Sequence, residues 1–120
     1  MLPIEERITE LRHRYTLSLP DRFAAIRCAF EGDASNLRRR DLLRRFHTIA
    51  GSAATFGYGD IAALAADAEC ILAAATLPAV TPAEAASLTS CVAGLEKALQ
   101  RHLGEEHARQ RSGRNGERSQ

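Results

Sequence analysis

The sequence predicts an all-α protein, and we expect an up-and-down antiparallel four-helix bundle with an extra N-terminal helical segment. Ala, Leu, Glu and Arg are abundant, whereas aromatic residues make up only 5% and Trp is absent. This composition favours helices over sheets. Apolar residues also recur at helical spacing in successive segments joined by short connections, which favour antiparallel packing of neighbouring helices.

The chain of 120 residues has the length of one domain with a single core. We place the helical bundle at residues 1–104. From residue 105 onwards the apolar pattern stops, and the polar composition predicts a disordered C-terminal tail over residues 105–120.

The N-terminal part contains two helical segments. The first begins at Pro3, and its apolar residues at helical spacing are Ile4, Ile8, Leu11 and Tyr15. Residues 18–20 interrupt this pattern before a second segment from Asp21 to Phe30, and residues 31–33 supply a break. The sequence leaves open whether the second segment is a separate helix or the first helix continued past a kink.

The apolar pattern next predicts a helix from about Asn36 to Phe56. Its core face has residues spaced by three or four: Leu42, Phe46, Ile49, Ala53 and Phe56. Gly57-Tyr58-Gly59 predicts a tight turn, because glycine readily adopts positive φ. We expect Asp60 to be the N-cap of the following helix.

The two C-terminal helices have apolar faces of their own. The first contains Ile61, Leu64, Ala65, Ala68, Ile71 and Leu72. Thr81-Pro82-Ala83-Glu84 combines a capping box with proline at the first helical position, which indicates the start of the last helix. The apolar face of that helix contains Leu88, Val92, Leu95, Leu99 and Leu103.

His47 lies in the middle of the predicted Asn36–Phe56 helix but outside its apolar face. At about 100° of rotation per residue, it is roughly 140° from the centre of that face, so it points out of the core. The adjacent turns carry small residues on one side and mostly basic residues on the other: Ala50, Gly51 and Ala54, and Arg40, Leu43 and Arg44. Glycine inside a helix costs roughly 1 kcal/mol relative to alanine. Either close approach of another helix or clearance for a partner protein would compensate, and the outward angle favours clearance.

The run His47-Thr48-Ile49-Ala50-Gly51-Ser52, followed by Gly57, resembles the histidine-containing phosphotransfer (HPt) domain of multistep two-component signalling. The similarity continues through Ile61, Leu64 and Glu69. The resemblance implies that His47 relays a phosphoryl group between aspartates of receiver domains. It also implies a phosphocarrier without kinase activity or a cofactor of its own. Mg²⁺ would be bound by the receiver, and the partners would be receiver domains, a hybrid sensor histidine kinase, or both.

The chain departs from the family pattern at Ala50, where the family usually has lysine, although some bacterial members resemble this chain in having alanine. An imidazole is largely neutral and nucleophilic near pH 7, and a phosphoryl group would add negative charge beside it. Our hypothesis is that Arg44 first, and Arg40 with it, takes over part of the electrostatic role of the missing lysine. The alternative is that both arginines only solvate the helix surface.

Composition and charge bound the remaining function classes. A net charge of +1 gives no support to a nucleic-acid binder. The chain has three widely separated cysteines, Cys28, Cys70 and Cys91, which argues against a disulfide framework and predicts buried thiols in a reducing compartment. Neither a signal peptide nor a long apolar run occurs in the sequence. We therefore expect a cytoplasmic monomer with no membrane partner.

Two rival functions remain open from the sequence. The basic amphipathic segment 37–45 would suit a nucleic-acid or acidic-surface binder, although no base-reading motif accompanies it. A helical adaptor that binds its partner without phosphorylation is the second rival. A metal site has little support, because the four histidines lack ligand spacing: His13, His47, His102 and His107. We expect His13 and His102 to be surface or packing residues, and no enzyme-like constellation is present.

Overall fold

The computed structural model describes residues 4–31 and 39–118. These residues form four α-helices: α1 (Ile4–Glu31), α2 (Arg39–Thr55), α3 (Gly59–Ala73) and α4 (Pro82–Arg118). No strand occurs among them, and the predicted all-α bundle is confirmed. Helices α2 and α3 pack against each other, and α4 packs against both α3 and α1. The predicted helix start near Asn36 and the break at Gly32 and Asp33 lie outside the described residues.

Helix α1 is continuous, so the N-terminal segment is part of this helix and not an extra one. Pro20 lies inside it and removes one backbone donor, but the apolar residues on both sides of Pro20 bury the same face: Tyr15, Leu19, Phe23 and Ile26. The first turns of α1 do not contribute to the core, although their apolar residues recur at helical spacing, because Ile4, Ile8 and Leu11 are exposed. The Tyr15 ring stacks on Phe56, the first residue after α2 (4.8 Å between ring centroids), so the preceding turns of α1 lie beyond the end of α2.

The predicted apolar faces of the other helices form the core, with their outermost members partly exposed. The buried residues of these three helices that were predicted are Leu42, Phe46, Ile49, Ala53, Ile61, Ala65, Ala68, Leu72, Leu88, Val92, Leu95 and Leu99. The partly buried ones are Phe56, Leu64, Ile71 and Leu103. The register of each helix is therefore the one that the sequence predicts.

The α2–α3 turn is a Schellman motif centred on Gly57. Gly57 has φ +85°, its N–H donates to the Ala54 carbonyl at 3.2 Å, and the Tyr58 N–H donates to the Ala53 carbonyl at 2.8 Å. Helix α3 then starts at Gly59, with Tyr58 at the N-cap. Asp60 is therefore not the N-cap, contrary to the prediction. Its Oδ1 accepts the Ile61 N–H at 2.9 Å from within the first turn.

Helix α4 begins as predicted and ends much later than predicted. Thr81 Oγ1 accepts the Glu84 N–H at 3.2 Å, and Glu84 Oε1 accepts the Thr81 N–H at 3.1 Å, which is the reciprocal pattern of a capping box. The backbone stays helical to Arg118, where we had predicted a disordered tail from residue 105. Because Glu, Ala, Arg and Gln are good helix formers, residues 105–111 continue the helix without apolar anchors. Residues 119–120 lie outside the described part.

The Arg39 side chain, in the first turn of α2, holds the α3–α4 loop in place. It is buried and donates to the carbonyls of Leu72 (2.9 Å), Leu77 (2.6 Å) and Ala79 (3.3 Å). Its Nη2 also donates to Glu84 Oε1 at 2.7 Å. This cluster, which we call the Arg39 clamp, fixes the loop against the starts of both α2 and α4.

The cysteine prediction is wrong in one respect. Cys28 and Cys70 are exposed and Cys91 is partly buried, so none of the three thiols is fully buried. Cys28 and Cys70 lie outside the apolar stripes of their helices, where helix geometry directs side chains to the surface.

Candidate functional site

His47 extends from the middle of α2 into solvent. Its side chain is 78% exposed, whereas its neighbour Phe46 is fully buried and Ile49 is almost so. The outward orientation follows from the buried stripe, which fixes the rotation of α2 and leaves position 47 on the opposite side. This is the orientation that helical periodicity predicts.

His47 lies in a shallow recess between α2 and α3, which we call the His47 recess. Its volume is about 520 Å³, and it is lined by Arg40, Leu43, Arg44, His47, Glu69, Cys70 and Ala73. The structure thus brings three of the predicted site residues together with His47, all from α2. Helix α3 provides the other wall, which we did not include among the candidate site residues.

Glu69 is the polar partner of His47. The imidazole Nδ1 lies 3.0 Å from Glu69 Oε2, and because an ionised carboxylate only accepts hydrogen bonds, the proton is on Nδ1. The Glu69 side chain is 23% exposed. Its position one residue beyond the buried Ala68 places it at the edge of the α3 face that packs on α2. That spacing is the signal in the sequence that could have identified it.

The hydrogen bond to Glu69 determines which imidazole nitrogen is available for chemistry. With Nδ1 protonated, the lone pair of the ring lies on Nε2, the nitrogen farther from the backbone. Nε2 has no hydrogen-bond partner among the described residues. An exposed imidazole held in this tautomer can act as a nucleophile toward an incoming electrophile.

Arg40 and Arg44 give the recess its positive charge. Both are exposed, and neither forms an ion pair within the ranges 4–31 and 39–118. Arg39, only one residue before Arg40, is committed to the Arg39 clamp instead. The arginines of the basic segment 37–45 therefore do not share one surface: Arg39 is buried in the Arg39 clamp, whereas Arg40 and Arg44 line the His47 recess.

The small residues next to His47 are open to solvent on the other side of the recess. Ala50 is partly buried, whereas Gly51 and Ala54 are exposed. A Cβ atom built on Gly51 would have no heavy atom within 4 Å outside its own helical turn. No neighbouring helix of the described part approaches this glycine, so of the two compensations considered above, only clearance agrees with the structure.

His102 and His13 also lie near carboxylates, but neither lines the His47 recess. His102 is packed edge-on against Tyr58 (4.7 Å between ring centroids), and its Nε2 lies 2.8 Å from Asp60 Oδ1. Partial burial acts to raise the pKa of Asp60, but the hydrogen bonds from His102 and from the Ile61 N–H lower it below its usual value overall. His13 lies 3.7 Å from Glu106. These two histidines are packing and surface residues, as predicted.

Comparison with known protein families identifies the family of the chain. A family model for the Hpt domain matches residues 10–110, and the chain belongs to this family. Searches of curated proteins and of solved structures each returned no match.

Membership of the Hpt family implies histidine phosphotransfer in two-component signalling, performed by phosphocarriers that interact with receiver domains and kinases. Within the described residues, no helix is long and apolar enough to span a membrane. The described residues also contain no group of three or more His, Cys, Asp or Glu side chains that could hold a metal ion.

Proposed function

We propose that His47 is the phosphoryl acceptor and donor of this domain, and that it relays the group between aspartates of receiver domains. The observation that carries this proposal is the exposed His47 ring, with Nδ1 held by Glu69 and Nε2 directed to solvent. This arrangement presents one nucleophilic atom in one tautomer, without requiring any movement of the domain.

In the transfer step, the Nε2 lone pair attacks the phosphorus of an aspartyl phosphate on the receiver. The P–N bond forms as the P–O bond to the aspartate breaks, and the aspartate leaves as a carboxylate. The proton on Nδ1 stays in place, so the phosphorylated ring carries a positive charge. The Glu69 carboxylate, 3.0 Å from Nδ1, stabilises that charge. The reverse step returns the phosphoryl group to an aspartate.

The arginines of the His47 recess act on the phosphoryl group itself. Arg44 and Arg40 line the same recess as His47, and their guanidinium groups can donate to phosphoryl oxygens. In this proposal they replace the lysine that Ala50 lacks, with Arg44 the more important because it is one helical turn from His47.

The partner completes the site. Mg²⁺ is bound by the receiver domain, and the chain needs no cofactor of its own and has no kinase activity. The partners are receiver domains of response regulators, a hybrid sensor histidine kinase, or both. The chain itself acts as a monomer in the cytoplasm. The open surface around Gly51 and Ala54 gives such a partner access to Nε2.

The test is label transfer from a panel of receiver domains phosphorylated with radioactive phosphate. We expect acid-labile, base-stable label on the unaltered chain and none on His47→Gln. His13→Gln is the matched control, because His13 is also an exposed histidine near a carboxylate, and we expect it to be labelled normally. Label on His47→Gln, or none on the unaltered chain from any receiver, would contradict the proposal.

The two rival functions give different results in the same preparation. A nucleic-acid binder would show steeply salt-dependent binding to DNA or RNA that His47→Gln does not affect. A phosphorylation-independent adaptor would bind receivers without acquiring label. The division of the basic run between the Arg39 clamp and the His47 recess disfavours the first rival.

A further inference from the structure

The His47 recess continues along α2 into a longer groove. A second recess of about 570 Å³ adjoins it, and the two share Arg40, Leu43, Arg44 and Ala73. The second recess reaches the α3–α4 loop at Leu77 and Pro78. We call the combined feature the α2–α3 groove. It extends from His47 toward the start of α2, away from the small residues at Gly51.

The walls of the α2–α3 groove come from two antiparallel helices. Helix α2 contributes positions 40, 43, 44 and 47, whose spacing places them on one helical face. Leu43 and Ala73 give the groove apolar surface, and Arg40 and Arg44 border it with positive charge. The groove thus offers an apolar strip bordered by two unpaired cations among the described residues.

Leu77 is the large apolar residue of the α2–α3 groove that is most exposed to solvent. Its side chain is 57% exposed. The other large hydrophobic residues that are exposed in the described part all lie on α1: Ile4, Ile8, Leu11 and Leu17. Leu77 is therefore the one on the side of the molecule that carries His47.

Hydrogen bonds to its backbone hold Leu77 in place without using its side chain. The Leu77 carbonyl accepts the Arg39 Nε–H at 2.6 Å, and the Pro78 carbonyl accepts the Arg39 backbone N–H at 2.9 Å. The loop is thus fixed through its backbone, while the leucine side chain remains in solvent. Such preorganisation lowers the entropy that is lost when a partner binds.

We propose that the receiver domain docks along the α2–α3 groove, with an apolar side chain against Leu77 and Leu43 and with carboxylates facing Arg40 and Arg44. This inference rests on the proposed function, since the partner is the receiver that exchanges phosphate with His47. Two features select this occupant: the groove is continuous with the His47 recess, and its cations are complementary to an acidic partner. Contacts at Leu77, remote from the transferred group, determine which receiver binds.

The first test separates binding from chemistry. Using the receiver that labels His47 fastest, we expect Leu77→Ser to raise the KM of transfer by about tenfold with kcat unchanged, as for the loss of an apolar anchor of an interface. The matched control is Leu17→Ser, because Leu17 is equally exposed but lies on α1, and its KM should stay the same. A KM for Leu77→Ser within twofold of the unaltered chain overturns the proposal.

The second test uses the native cysteines as probes. Cys70 lines the groove, whereas Cys28 is exposed on α1. We expect each cognate receiver to slow maleimide alkylation of Cys70 by at least fivefold, measured by mass spectrometry, and to leave Cys28 unaffected. Equal alkylation of both cysteines in the presence and absence of the receiver contradicts the docking site. If the alkylation of Cys70 slows as the concentration of the chain is raised without any receiver, the groove binds a second copy of the chain. That result also overturns the proposal of receiver docking.

The two proposals fail in distinguishable ways. If no receiver labels His47, the proposed function fails. The alkylation experiment with the same panel then still decides whether any receiver occupies the groove. If label transfer is normal but Leu77→Ser keeps its KM and Cys70 is not protected, the function stands and only the docking site fails.

Discussion

His47 and His102 each place a ring nitrogen within hydrogen-bond distance of a carboxylate, 3.0 Å from Glu69 and 2.8 Å from Asp60. Their exposure is reversed. In the first pair the histidine is 78% exposed and the carboxylate 23%, and in the second the histidine is 23% exposed and the carboxylate 38%. In the first pair the largely buried Glu69 holds an exposed His47 ring, whereas in the second pair the His102 ring is itself the more buried partner.

The two pairs also use different nitrogens. His47 bonds through Nδ1 and leaves the distal Nε2 in solvent, whereas His102 bonds through Nε2. A partner protein can therefore reach the lone pair of His47 but meets no free distal nitrogen at His102. The comparison shows that a histidine–carboxylate pair alone does not define a phosphotransfer site, because the orientation of the ring decides which atom can react.

The largest expected effect tests this division directly. His47→Ala should abolish label transfer and change the free energy of unfolding by less than about 0.5 kcal/mol, as for other exposed positions. His102→Ala should keep label transfer and lower the free energy of unfolding by about 1–2 kcal/mol, since a hydrogen bond to a charged group and a ring contact are lost. Urea unfolding and receiver-dependent labelling measure the two quantities. Loss of labelling in both variants would remove the distinction between the pairs.

The carboxylates should show the same division with a smaller effect. Glu69→Gln keeps an acceptor near Nδ1 but removes the negative charge that stabilises the phosphorylated ring, so we expect transfer to slow by about tenfold. Asp60→Asn is the matched change in the other pair and should leave the transfer rate unaltered. Single-turnover kinetics with one phosphorylated receiver measures both rates. Equal rates for Glu69→Gln and the unaltered chain would show that Glu69 only fills the recess.

The sequence predicts the orientation of His47 but not its partner. Orientation depends on the periodicity of one helix, and the stripe through Leu42 and Phe46 fixes it. The spacing from the buried Ala68 places Glu69 at the edge of the α3 face. Which α2 residue lies opposite Glu69 depends on how α2 and α3 align, and the periodicity of a single helix does not specify that alignment. The small residues at Gly51 could likewise signal either helix contact or clearance until the neighbouring helices are placed.

Arg39 shows a signal that the sequence does contain. It lies three residues before Leu42 and continues the buried stripe backwards, yet within a run of arginines its sequence position looks no different from that of the exposed Arg40. Its burial becomes possible because Glu84, the Leu72 carbonyl at the end of α3 and two loop carbonyls converge on it from distant parts of the chain. The sequence does not predict the helix beyond residue 105, because the apolar pattern stops there and only intrinsic helix propensity favours a helix.

Acid should weaken the enclosed pair of the Arg39 clamp. Hydrogen bonds from Arg39 lower the pKa of Glu84 from 4.5 to about 2, with the Thr81 N–H contributing. Since the folded-state pKa is depressed, the pair contributes stability above the ordinary pKa, and that stability is lost as the pH falls through about 2.

Glu84→Gln tests this contribution. We expect its melting temperature to be lower by about 5 °C at pH 7 and the difference from the unaltered chain to disappear as the pH approaches 2. Calorimetry from pH 7 to pH 2 measures both melting curves. A difference that stays constant over this range would mean that the charge of Glu84 does not matter.

The smallest expected effect concerns the arginine side of the His47 recess. Arg44→Ala should slow transfer and shorten the lifetime of phosphorylated His47 by about threefold each, the size typical of an exposed charge contact. Arg45→Ala is the matched control, because Arg45 does not line the His47 recess; it lies with Arg22 in a neighbouring recess that Arg44 also borders. The decisive variant is Ala50→Lys in the Arg44→Ala background. If Arg44 replaces the missing lysine, the added lysine should restore both the transfer rate and the lifetime. If Arg44→Ala alone changes neither value, the phosphoryl charge is stabilised by the receiver alone.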